Sequence, residues 1–265
     1  MSGDPQGTLW IRRFEPRPAA PVRLVCLPHA GGSATFFAGL PALLGDGVDV
    51  LAVQYPGRQD RRGEPCAPSI DVLARQVTAE LLPWTDRPLA VFGHSLGAVL
   101  GFEVARALQA AGRTPVALFA SGRRAPSRHR PETAHRLDDE GLLREIRALS
   151  GTDSRVFADE ELVRMVLPAI RADYRIVESH RAVPDPPLDC PITALTGIDD
   201  PKVTPEEAQA WREHTTAAFD LVTFPGGHFY LTARAAEVAR VISTALAPPP
   251  ATPGTPPPPE LIGRP

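Results

Sequence analysis

Six short runs in this chain are almost continuously apolar and rich in β-branched residues, and they set narrow limits on its fold. They are VRLVCLP (Val22–Pro28), VDVLAV (Val48–Val53), PLAVFG (Pro88–Gly93), PVALFA (Pro115–Ala120), PITALT (Pro191–Thr196) and FDLVTF (Phe219–Phe224). A strand with one wet face alternates polar and apolar residues; a run without alternation reads as a strand covered on both faces. Helical patterns lie between the runs. Ile70, Leu73, Val77 and Leu81 share one face behind Ser69, a serine placed to cap the helix. The stretch Ala98–Gly112 reads as a helix stopped by its glycine. Thr204, Pro205 and Glu207 have the spacing of a capping box with proline at the first helical position. Alternation of this length predicts an α/β chain: a mostly parallel sheet flanked by helices.

From about Gly122 to Pro187 the rhythm breaks. No strand pattern occurs there; a basic loop leads to helical patterns near Asp138–Leu149 and Glu160–His180. Such an insertion is expected to form a cap or lid over the open end of the sheet, or else an added packing layer. Residues 1–247 are expected to form one domain. The proline-rich tail, 248–265, cannot build a core and is expected to be disordered.

Net charge is −3 over 265 residues, so no global field points to nucleic acid or an anionic membrane. Lys202 is the single lysine. Cys26, Cys66 and Cys190 are odd in number and widely spaced, which argues against a disulfide framework or a zinc site and for a reducing cytoplasm. The N-terminal stretch lacks a signal pattern, and no apolar run approaches the ~20 residues of a membrane span. The expectation is a cytoplasmic protein, with nothing that demands more than a monomer. His129, His135 and His180 lack ligand spacing and are expected on the lid surface, with no metal site.

Gly93-His94-Ser95-Leu96-Gly97 follows one of the buried runs directly and opens a helical pattern directly. The bare G-x-S-x-G pattern would match by chance in roughly one chain in ten of this length. The strand–turn–helix setting, however, is that of a nucleophile elbow, where a strained serine is pushed out at the carboxyl edge of the sheet. A serine hydroxyl needs a base and an orienting carboxylate, which in such folds follow in the order acid, then histidine. Both occur in loops at the carboxyl ends of later strands: Asp199 or Asp200 after PITALT, and His228 after FDLVTF. Sequence physics barely separates the two aspartates. The turn His29-Ala30-Gly31-Gly32-Ser33, after the first run, lies where such enzymes place an oxyanion-hole amide. Ala30 and Leu96 are the candidate backbone donors, and His29 is a candidate substrate contact.

The segments LPHAGGSATFF, YPGRQDR (Tyr55–Arg61), GHSLGAVLGFEVA, TGIDDPKVTPEEAQAW (Thr196–Trp211) and FPGGHFYL resemble the successive motifs of type II thioesterases. These are stand-alone editing hydrolases of polyketide and non-ribosomal peptide assembly lines. The resemblance runs from about Val22 to Leu246 and implies an α/β-hydrolase fold with a helical lid before the acid-bearing strand. It implies Asp200 as the acid, because the family's acid lies three residues after a glycine and directly before a proline, here Gly197 and Pro201. It further implies a serine thioesterase that clears acyl groups from phosphopantetheine arms of acyl or peptidyl carrier proteins. The protein itself would need no cofactor, the phosphopantetheine being the partner's. Carrier proteins are typically acidic, so Arg123, Arg124, Arg128 and Arg130, and Arg58, Arg61 and Arg62, are candidate docking residues. A fatty acyl thioesterase or lipase-like carboxylesterase would use the same three side chains. A non-catalytic binding protein on this fold would have no need of them.

Overall fold

The structure, a computed structural model, describes residues 9–150, 160–182 and 186–247. Among the described residues, seven strands form one sheet: β1 (Ile11–Arg12), β2 (Val22–Leu27), β3 (Val48–Val53), β4 (Leu89–His94), β5 (Ala117–Ser121), β6 (Ile192–Gly197) and β7 (Phe219–Phe224), in spatial order β1-β3-β2-β4-β5-β6-β7. All neighbours run parallel except β1, which pairs antiparallel with β3. The six predicted strands are all present. Those written as starting at Pro88 and Pro191 begin one residue later. A proline has no N–H to give to the ladder, although the carbonyls of both still accept, from Arg23 and Leu118. The strand β1 was not predicted, since two residues carry no periodicity.

Helices α1 (Leu40–Leu44), α2 (Ile70–Leu81) and α3 (Leu96–Ala110) connect the first strands; α4 (Asp139–Ser150) and α5 (Glu160–Ser179) lie between β5 and β6; α6 (Pro205–Gln209), α7 (Tyr230–Ala233) and α8 (Ala235–Leu246) complete the chain. Ser69 caps α2 by accepting from the Val72 amide at 3.2 Å. The Thr204–Glu207 capping box at α6 has both of its bonds. Gly112, at φ +71°, turns the chain out of α3.

Alternate residues of the central strands enter two different cores. Val25, Leu27, Leu51, Val53, Val91 and Leu118 face α2 and α3. Leu24, Cys26, Val50, Ala90, Phe92 and Phe119 face α1 and α8. Coverage on both sides is why these strands read as unbroken apolar runs. The edge strand β7 departs from that expectation: Asp220 and Thr223 are exposed, and among its residues only Phe224 is buried.

The inserted segment has a small core of its own, with Ala134, Leu142, Ile146, Leu167 and Ile170 buried together. Ile176 and Val177 of α5 meanwhile join the α2/α3 core. The earlier turns of α5 thus hold the inserted segment together, and its last turns seat that segment on the body. The proline-rich tail, 248–265, lies outside the described residues.

The chain steps from β2 outward to β3 and then back across to β4, so the β2/β4 boundary is the switch point of the sheet. Open α/β sheets bind ligands outside the carboxyl ends of the strands at such a point, and here the segments leaving β2 and β4 carry His29–Ser33 and Ser95.

Candidate active site

Ser95 stands alone between the end of β4 and the start of α3, at φ 56° and ψ −111°. A non-glycine residue in that region is strained and persists only where its surroundings dictate it. The constraint here is packing. A Cβ on Gly93 would lie 1.9 Å from the Gly97 carbonyl oxygen, and one on Gly97 would lie 2.0 Å from that of Leu27. Both glycines of the pentapeptide are therefore required, and the Ser95 amide is fixed on the Ser121 carbonyl at 2.8 Å.

The acid and histidine loops are zipped together beyond the ends of β6 and β7. The Ile198 amide donates to the Phe224 carbonyl at 2.9 Å and the Asp199 amide to the Gly226 carbonyl at 3.0 Å. This places the two aspartates differently. Asp199 is exposed. Asp200 has a fully buried side chain whose oxygens accept from His228 Nδ1 at 2.8 and 3.0 Å. Its Oδ1 also accepts from the Lys202 amide at 2.8 Å. Donation from Nδ1 leaves His228 Nε2 as the basic nitrogen. No hydrogen bond joins the Ser95 hydroxyl to His228; such contacts commonly tighten only with substrate bound.

At the switch point, Pro28 abuts the elbow: a Cβ on Gly97 would also lie 2.9 Å from the Pro28 carbonyl oxygen. In the loop that follows, the Gly31 amide donates to Asp173 Oδ2 at 2.8 Å and the Gly32 amide to the His29 carbonyl at 2.9 Å. The Ala30 amide has no acceptor among the described residues. Leu96 opens α3, so its N–H has no partner within the helix. Unengaged amides are what an oxyanion hole requires. The half-buried His29 ring packs edge-on against Phe36 and Phe229, with centroids 4.7 and 4.8 Å away. Desolvation, aided by His228 and Arg58, pushes its pKa down to about 3.

A buried network behind the serine was not found from sequence. His94 Nδ1 lies 2.9 Å from Ser121 Oγ, which lies 2.6 Å from the Tyr230 hydroxyl. The His94 ring sits 4.9 Å from that of His228, and Gly122 makes room for it, since a Cβ there would come within 2.5 Å of His94 Cε1. Burial first, then His228 and His29, hold His94 well below the ordinary histidine pKa, so it stays neutral. The only sequence signal was a histidine beside the serine.

The arginines do not form the exposed basic surface expected of a docking site, which corrects that reading for most of them. Arg124 is buried and Arg123 nearly so, and both pair with Glu132. Burial alone would raise the pKa of Glu132, but Arg123, Arg124 and Lys202 outweigh it and hold it at about 2. Arg130 is tied to Glu207 of α6. Arg58 is buried against Asp173, and the buried Arg61 pairs with Glu64. Arg128 does reach the surface, bonded to Glu213, and Arg62 is exposed. Both clusters knit loops around the site: Arg124 donates to the Lys202 carbonyl at 3.2 Å, and Arg58 to that of Gly32 at 3.2 Å. Two of the three lid histidines also differ from expectation. His180 bonds Glu103 of α3 at 3.1 Å, and His135 pairs with Glu178; only His129 is simply exposed.

Among the described residues, all three cysteines are free and no cluster has the makings of a metal site. Nor is any described helix long and apolar enough to cross a membrane.

The sequence profile of the family described as "Thioesterase domain" matches residues 22–246. Thioesterase PikA5 of Streptomyces venezuelae is 51% identical over 240 residues, which cover 90% of this chain and 85% of that protein. A probable cadicidin biosynthesis thioesterase of Streptomyces griseus is 49% identical over 252 residues, 95% of this chain and 70% of the relative. Among solved structures, the type II thioesterase BorB from the borrelidin biosynthetic cluster superposes with a TM-score of 0.87 at 52% identity, over 92% of this chain and all of that one. RedJ, the thioesterase from the prodiginine pathway of Streptomyces coelicolor, gives 0.82 at 40% identity, over 88% of this chain and 89% of its own.

Proposed function

The chain belongs to the thioesterase family, and on that premise we propose that Ser95, His228 and Asp200 hydrolyse acyl thioesters carried on the phosphopantetheine arms of polyketide or non-ribosomal peptide carrier proteins. The role is editing: removal of aberrant or stalled acyl groups. The observation that carries the catalytic part is the buried Asp200–His228 pair, whose histidine ring lies 4.9 Å from that of His94, the residue before the strained Ser95, with Asp199 left outside. The origins of solved relatives support the substrate class: BorB is from a biosynthetic cluster, and two others are from the colibactin and yersiniabactin NRPS/PKS pathways.

In the reaction, Ser95 Oγ attacks the thioester carbonyl while His228 Nε2 takes its proton. Asp200 keeps the other proton on Nδ1 and stabilises the imidazolium. The carbonyl electron pair moves onto oxygen, where the Ala30 and Leu96 amides receive it; one such donor is worth ~2.7–4 kcal/mol of barrier. Collapse expels the phosphopantetheine thiolate, which takes the proton from His228. Water then attacks the acyl-serine with His228 again as base, releasing the acid and restoring Ser95.

The test is a comparison of kcat/KM on an acyl-carrier protein, the matching acyl-coenzyme A and a nitrophenyl ester. Preference for the carrier-bound acyl group is expected. A clear preference for the oxygen ester would remove the editing role and favour a carboxylesterase using the same three side chains.

A further inference from the structure

The motif YPGRQDR has no part in the chemistry above, yet it, Gln54 just before it and one lid residue fix the oxyanion loop at four points. The Tyr55 hydroxyl donates to the Pro28 carbonyl at 3.1 Å. The Arg58 guanidinium donates to the Gly32 carbonyl at 3.2 Å, and the Gln54 side chain accepts from the Ala34 amide at 2.9 Å. The fourth point of attachment comes from the lid. Asp173 of α5 accepts from the Gly31 amide at 2.8 Å and from Arg58 through both oxygens, at 2.6 and 2.9 Å. The pair is deeply buried, with side-chain exposures of 8% for Arg58 and 3% for Asp173. One turn before Asp173, Ile170 presses on the same loop: a Cβ on Gly31 would lie 2.4 Å from its Cγ1.

Gly31, at φ +75°, directly follows Ala30. The peptide that carries the Gly31 N–H begins at the Ala30 Cα, so the Asp173 bond anchors Ala30 on one side, while the Gly32 amide, bonded to the His29 carbonyl, holds the peptide that carries the Ala30 N–H on the other. The Ala30 amide is the donor assigned to the oxyanion. From this geometry we infer that Asp173, with Arg58, is a positioning residue for the oxyanion hole, so that the hole is assembled only when lid helix α5 is seated. This rests on the catalytic reading above. An Arg–carboxylate fork buried at such a place has a directional role that an apolar contact would lack. It also gives the lid a way to act on the chemical step as well as on access, since a donor misplaced by about 1 Å can cost on the order of a hundredfold in rate.

Asp173→Asn keeps an acceptor for the Gly31 amide, whereas Asp173→Ala removes it. The expected result is a fall in kcat for the alanine variant of about tenfold to a hundredfold, with KM within about threefold and with substantial recovery in the asparagine variant. A trifluoromethyl ketone, which adds to Ser95 as a tetrahedral oxyanion, should lose affinity by the same factor as kcat, while a planar product acid should not. The Ala variant leaves the buried Arg58 without its counter-charge and can fail to fold. The double variant Arg58→Met/Asp173→Leu removes both charges and should keep a wild-type melting temperature while losing kcat and ketone affinity alike. Wild-type kcat and ketone affinity in that double variant would overturn the inference. Ser95→Ala run alongside separates the two levels: if it too retained turnover, the catalytic reading itself would be the one at fault.

Discussion

Alanine at Gly197 is the substitution whose consequence can be worked out most fully. Its Cβ would lie 2.3 Å from the carbonyl oxygens of both Gly226 and Gly227, and ordinary contact at 3.4 Å exceeds that by 1.1 Å. The obstacles are backbone atoms, so no side chain can swing aside; the acid loop and the histidine loop must part. Those loops carry Asp200 and His228, joined at 2.8 Å. An opening of that size leaves the pair at roughly 3.9 Å, beyond hydrogen-bond reach. The Asp199–Gly226 backbone bond, 3.0 Å long, is strained by the same movement. Misplacement by about 1 Å costs ~10²-fold, and loss of the acid's function ~10⁴-fold, so kcat should fall between those limits. Overpacking should cost stability by about 1–3 kcal/mol. The assay is kcat on an acyl-carrier protein well below the melting temperature, with circular dichroism to show that the variant is folded. Gly227→Ala is the control, because its Cβ would meet nothing closer than the Asp199 carbonyl oxygen at 3.8 Å; it should stay near wild type. A folded Gly197→Ala variant with kcat within about threefold of wild type would refute the claim that this backbone contact sets the Asp200–His228 geometry.

Asp200→Asn should lower kcat by ~10⁴ without unfolding the protein, whereas the exposed Asp199→Asn should remain near wild type; equal losses would contradict the assignment. Glu132→Ala strands Arg123 and Arg124 and should cost about 3–5 kcal/mol, a drop on the order of 10 °C in melting temperature. An unchanged melting temperature with a raised KM for the carrier would instead return those arginines to docking. His29, held down to about 3 from an ordinary 6.5, binds its proton more readily in the unfolded chain between those pH values. Stability supplied by the neutral ring is therefore complete above 6.5 and lost as pH falls toward 3. His29→Phe should make that decline shallower by up to ~1.4 kcal/mol per pH unit, as read by denaturant titrations at several pH values; an unaltered slope would count against it.

What the sequence made legible was local. A doubly covered strand announces itself by continuous apolarity, a capping box by its three-residue spacing, and an elbow by glycines flanking a serine between strand and helix. Ser95 and His228 stood out for that reason, each in a loop at the end of such a strand. The choice of Asp200 over Asp199 was not legible from the residues. It depends on which side of the loop faces the neighbouring strand's loop, and the Asp199–Gly226 backbone bond decides that only in three dimensions. The arginines misled because charge on a loop carries no sign of what it meets. Arg58 finds Asp173 across 115 positions of chain, a pairing with no signature in sequence. The short β1 was hidden by its length, and the exposed face of β7 by an apolar run that covers only part of what it touches.

The most direct measurement is the turnover of an acyl-carrier protein by Ser95→Ala relative to wild type, with melting temperatures matched. If the Ser95 hydroxyl forms the acyl-enzyme, the ratio should be on the order of 10⁻⁶. A variant that still turns over within about tenfold of wild type would contradict the central claim and move the chemistry to another group.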